Sequence, residues 1–102
     1  MNNMQGMMKK MQKMQKEMEQ AQNKLYEMTF EGVASNGLVK VQVSGEKEVK
    51  HVEIEPEILD PEDSDMIGDL VMIAVNDALK KVDAETEKTM GKYTQGLNIP
   101  GF

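Results

Sequence analysis

The chain has 102 residues, 39% of them hydrophobic and 29% charged, with a net charge of −6, eleven Met and no Cys, Trp or Arg. A chain this short builds one domain, and the lack of cysteine excludes disulfides, thiolate nucleophiles and zinc–thiolate centres. Aromatics make up only 4% of the residues and methionine is a flexible filler that specifies packing poorly, so so thin a core is expected to be completed by a second copy of the chain.

No apolar run reaches the ~20 residues of a membrane span, and none near the start suits a signal peptide, so the expected location is the cytoplasm. Charge is distributed unevenly. Residues 1–16 carry +4 from Lys9, Lys10, Lys13 and Lys16 with no acid among them, and the rest of the chain carries −10.

The first element is predicted over residues 1–28. Apolar residues fall at Met4, Met7, Met11, Met14, Met18, Ala21, Leu25 and Met28, alternating steps of three and four, which is the heptad seam of a helix. The remaining positions are mostly Gln, Lys and Glu, good helix formers. A helix of about 25 residues is roughly 37 Å long, too long for so small a domain to bury, so part of the seam is expected to meet a partner.

From Thr29 the period changes to two, and residues 29–55 are predicted to form a three-stranded antiparallel meander. Asn36-Gly37 is a strong hairpin signal between the first two strands. Val39, Val41 and Val43 share one face of the second strand, and Val52 and Ile54 share one face of the third. A four-residue loop, Gly45 to Glu48, sets Val52 opposite Val41 and Ile54 opposite Val39; a two-residue loop would set Lys50 against Val41.

Pro56 ends the third strand, and a second helix is predicted over residues 60–90. Asp60 is the expected N-cap and Pro61 the first helical residue, with Glu62 and Asp63 complementing the dipole. Met66, Ile67, Leu70, Val71, Ile73, Ala74, Val75, Ala78, Leu79 and Val82 give it an apolar face wide enough to cover the sheet and something more. Gly91 is expected to end it, leaving residues 91–102 as a flexible tail. The fold class is α+β: helix, three strands, helix. The core and the contact with a second copy are expected to draw on Met11, Met14, Met18, Leu25, Val39, Val41, Val52, Ile54, Leu70 and Ile73.

Lys9, Lys13 and Lys16 lie four and three residues apart, hence on one face of the first helix, opposite the seam, with Lys10 on its flank. A solvated outer face is the commonest meaning of such a row. Here no acid interrupts it before Glu17, and an acidic protein has gathered its positive charge at one end. Ammonium groups neutralise phosphates but lack the planar fork with which Arg reads guanine. If this row binds double-stranded DNA, the contact is expected to show weak sequence preference and strong salt dependence. Lys80, Lys81, Lys88 and Lys92, towards the end of the second helix, are secondary candidates.

Other motifs yield little. Met-x-x-Met spacing suits copper(I) thioether ligation, but it is also the spacing of a packing seam, and packing is the simpler account. Between Glu53 and Asp69 lie eight acids, yet Ile67 and Ala74 stand where a calcium loop needs oxygen ligands. Gly91-Lys92 lacks the upstream glycine and following hydroxyl of a phosphate loop. His51 has no recognisable acid–base partner and no serine lies in a nucleophile motif. No enzyme activity, metal, cofactor or small-molecule substrate is expected. The alternative to DNA binding is a scaffold or adaptor gripping peptides in a Met-rich helical groove.

The segments MMKKMQKMQKEMEQAQ, FEGVASNGLVKVQVSGEKEVKHVEIEPEILDPED, DLVMIAVNDALKKV and MGKYTQGLNIPGF, spread over nearly the whole chain, resemble the YbaB/EbfC family of bacterial nucleoid-associated proteins. That resemblance implies a helix–three strands–helix subunit, a tweezer-shaped homodimer with protruding helices, and non-catalytic DNA binding in the nucleoid with effects on gene expression. It implies phosphate contacts from the positively charged first helix, which here carries Lys9, Lys10, Lys13 and Lys16.

Overall fold

The computed structural model describes residues 2–94. Helix α1 (Asn2–Glu27) is followed by strands β1 (Thr29–Ala34), β2 (Val39–Ser44) and β3 (Val49–Ile54) and by helix α2 (Ser64–Thr94). The α+β class and the order of elements are those read from the sequence.

The strands form an antiparallel sheet in the order β1-β2-β3. Its register sets Val41 opposite Val52 and Val39 opposite Ile54, the pairing expected from a four-residue second turn. One residue further on the ladder slips: Gln42 still faces His51, but Val43 faces Val49, so Lys50 is an extra residue on β3. Such a bulge sharpens the local twist and lets Val49 rejoin the apolar face. The first turn holds Ser35 and Asn36 at left-handed angles (φ 52 and 59), with Gly37 at φ 88.

Phe30, Gly32 and Ala34 of β1 stand opposite Val43, Val41 and Val39 of β2, so all six share one face. Helix α2 lies across it. Val39, Val41 and Val43 are buried beneath Ala74, Ala78 and Val82, flanked by Leu70, Val71, Val75 and Leu79. The helix comes this close because Gly32 has no side chain. A Cβ there would fall on the Ala74 carbonyl oxygen and within 2.5 Å of the Ala78 amide nitrogen.

The start of α2 is close to expectation. The Asp60 side chain accepts a hydrogen bond from the Glu62 amide (3.0 Å), though Pro61–Asp63 make a 3-10 turn and the α-helix proper begins at Ser64. The far end differs. Gly91 does not stop the helix, which continues to Thr94 because Met90 and Tyr93 are buried against Leu25 of α1. Burying two such side chains is worth several times the ~1 kcal/mol that a glycine costs inside a helix. Residues 91–94 of the expected tail are therefore helical, and residues 95–102 lie outside the described residues.

Of the residues expected in the core, Leu25, Val39 and Val41 are buried and Met18, Ile54 and Leu70 half-buried, while Met11, Met14, Val52 and Ile73 are exposed in the single chain.

Candidate nucleic-acid interface

Among the described residues, α1 packs on the rest of the molecule through its last turns. Leu25 is buried with Met90 and Tyr93, and Met18, Ala21 and Phe30 pack around them. Every side chain from Asn3 to Glu17 is exposed. The molecule measures 73 × 21 × 17 Å and its radius of gyration is 19.6 Å, against about 13 Å for a compact chain of this length. The first helix is therefore an arm.

That arm carries Lys9, Lys10, Lys13 and Lys16, all exposed. Helical spacing puts Lys9, Lys13 and Lys16 along one line and the methionines along the opposite one. Among the described residues, the ion pairs involve Lys47, Lys50 and Lys81, and none engages these four. No acid lies in the first turn of α1 to offset its dipole, so the positive helix end adds to the field of the lysines. Chemically the arm offers a row of exposed, hydrated cations able to neutralise anionic groups.

The secondary lysines are differently placed. Lys81 donates a hydrogen bond to the Glu31 carbonyl oxygen (2.6 Å) and lies 3.8 Å from the Asp77 carboxylate. Its ammonium is thereby held at the edge of β1. Lys92 lies over the Tyr93 ring, 5.0 Å from its centroid. Lys80 lines an open groove with Val33, Ile73, Asn76 and Asp77, and Lys88 is exposed. The structure thus unites the four N-terminal lysines on one arm and disperses the other four.

The methionine stripe also reads differently in three dimensions. Its lower part, Met18 with Ala21 and Leu25, packs against α2, but Met4 and Met11 are 73% and 68% exposed and Met7, Met8 and Met14 are exposed as well. Among the described residues, packing within the chain accounts for three of the eight seam positions, since Met28 is exposed too. Among the described residues there is no group of three His, Cys, Asp or Glu able to hold a metal, and no helix long and apolar enough to cross a membrane.

The chain is thus a small α+β body bearing an exposed, lysine-faced helix. The sequence model of the YbaB/EbfC DNA-binding family matches residues 1–97, and the chain belongs to that family. It is 58% identical over 102 residues to a nucleoid-associated protein of Bacillus licheniformis, covering all of this chain and 95% of that one. It is 61% identical over 100 residues to a nucleoid-associated protein of Lysinibacillus sphaericus, covering 98% and 96% of the two chains. The fold matches the crystal structure of an uncharacterized protein from Helicobacter pylori with a TM-score of 0.70 at 24% identity, over 81% of this chain and 87% of that one. This is a family of nucleoid-associated DNA-binding proteins, not of enzymes.

Proposed function

We propose that the chain binds double-stranded DNA with weak sequence preference, through phosphate contacts from Lys9, Lys10, Lys13 and Lys16, and that it works as a homodimer in the nucleoid, influencing nucleoid organisation and gene expression. The observation that carries this reading is the arm itself: four exposed lysines with no acid before Glu17, on a helix whose side chains are all exposed from Asn3 to Glu17. Family membership supports DNA as the polyanion. The acidity of the body, −10 beyond residue 16, restricts DNA to the arm by repelling phosphates elsewhere.

The dimer is supported by apolar surface that the single chain leaves uncovered. Val49 and Val52 of β3 are 46% and 42% exposed on the apolar face of the sheet, and Met72 and Ile73 are exposed on α2. Two copies that bury these residues together carry two basic arms, which can straddle one duplex.

The test is a fluorescence-anisotropy titration of unrelated duplexes at low and near-physiological salt. Comparable binding of all duplexes, weakening steeply with salt, is the expected result; eight phosphate contacts per dimer at ~0.9 each give a log–log slope of roughly −7. No binding at low salt overturns the proposal. That outcome favours a second reading, supported by the exposed Met4, Met7, Met8 and Met11: an adaptor gripping an apolar peptide, whose binding tolerates salt.

A further inference from the structure

A free arm is only as well aimed as its root. The root of α1 is gripped from two sides. On one side, Gly45 of the β2–β3 turn lies against the last turn of the helix. A Cβ at Gly45 would fall on the Leu25 carbonyl oxygen, 2.6 Å from the Leu25 carbonyl carbon and 3.1 Å from Tyr26 Cα. The Gly45 amide also donates to the Met28 carbonyl oxygen (3.1 Å), and the Met28 amide donates to that of Leu25 (3.0 Å). On the other side, Met90 and Tyr93 of α2 close over the Leu25 side chain. The turn is in turn tied to α2 by the Lys47–Asp83 ion pair (3.0 Å).

We infer that this joint of Gly45, Leu25, Met90 and Tyr93 positions the DNA-binding arm, so that it sets DNA affinity without touching DNA. The inference rests on the DNA reading above. Its physical basis is leverage. Lys9 stands about 24 Å of helix beyond Leu25 at ~1.5 Å per residue. A tilt of about 10° at the root therefore moves Lys9 by about 4 Å, more than the ~3.4 Å of duplex axis per phosphate of one strand. A loose root lets the lysines wander off register, and the cost of ordering them falls on binding. It also explains why α2 extends past Gly91: its last turn holds the joint closed.

The chain has no cysteine, so cysteines introduced at the exposed Gln12 of α1 and Gln42 of β2 take nitroxide labels cleanly. Pulsed electron–electron resonance on labelled chain diluted with unlabelled chain then reads the arm's distance distribution within one subunit. Met90→Ala is expected to broaden that distribution and to weaken duplex binding roughly tenfold through lost preorganisation, with the salt slope unchanged because the phosphate contacts are the same. Met90→Leu, which refills the joint, is expected to restore both. Should Met90→Ala unfold, by circular dichroism, Met90→Val is read in the same two ways. A broadened distribution with unchanged affinity, or weakened binding with an unchanged distribution, overturns the positioning role. A wild-type chain that does not bind DNA overturns the DNA reading itself, and this inference with it, whatever the distances show.

Discussion

The Asp77 carboxylate accepts a hydrogen bond from the backbone amide of Val33 (3.0 Å), across 44 positions of sequence. Val33 lies on β1, whose other side pairs with β2, so this amide belongs to the free edge of the sheet. One helical turn on, Lys81 donates to the Glu31 carbonyl oxygen on the same edge. Two side chains of α2 thus occupy backbone groups that would otherwise invite a further strand.

Asp77→Ala is expected to destabilise the chain by about 1 kcal/mol, the worth of one partly exposed hydrogen bond. The larger effect is on association. With the Val33 amide unpaired, sedimentation velocity is expected to show species beyond those of the wild type. An unchanged profile refutes the blocking role.

Lys81→Ala and Lys13→Ala make a matched pair. Lys13→Ala is expected to lower the log–log salt slope of DNA binding by about 0.9 for each contact removed and to leave stability alone. Lys81→Ala is expected to lower urea stability by about 1 kcal/mol while the slope stays put. Equal effects on the slope place Lys81 in the DNA interface after all.

Replacing Lys9, Lys13 and Lys16 together with Glu is expected to abolish duplex binding while circular dichroism and the mass in solution stay as in the wild type. Residual wild-type affinity moves the contact face off α1.

Gly32→Ala tests the closeness of α2. A methyl group there meets main-chain atoms of Ala74 and Ala78, which cannot swing aside as a side-chain end could. A loss of about 3 kcal/mol or more in urea titration is expected, in the range of severe overpacking. A loss under about 1 kcal/mol shows that the helix can slide on the sheet.

Val52→Asp addresses the second copy. Val52 is 42% exposed in the single chain, so a charge there costs the subunit little, yet in a shared apolar interface it is buried without a partner. Dissociation to monomers with the circular dichroism spectrum retained is expected. A persistent dimer rules out β3 as part of the contact.

Much of this architecture was legible because it is periodic. The three-and-four spacing of the methionines marks α1, and the alternation of Val39, Val41 and Val43 marks β2 and its buried face. The pairing of Val41 with Val52 followed from requiring apolar residues to share a side. The slip at Lys50 was not legible, since it depends on how the turn before it closes, with Lys47 at φ 67. Nor was the end of α2, because local propensity at Gly91 yields to a tertiary contact with Leu25, 66 positions away. The clustering of Lys9, Lys13 and Lys16 is a property of one helix and could be seen in one dimension. The diversion of Lys81 to Glu31 joins two elements 50 positions apart and left no local trace.

The unsupported stretch of α1 gives the chain two time regimes. Backbone amides of Val41 and Val43, beneath α2, exchange with solvent deuterium only when the whole domain opens. Those between Met4 and Glu17 lie in helix whose side chains are exposed, and helix–coil relaxation of so short a segment takes about a microsecond or less. Slowed exchange confined to that stretch on adding a ligand is therefore a direct record of what the arm grips, visible without knowing in advance what the ligand is.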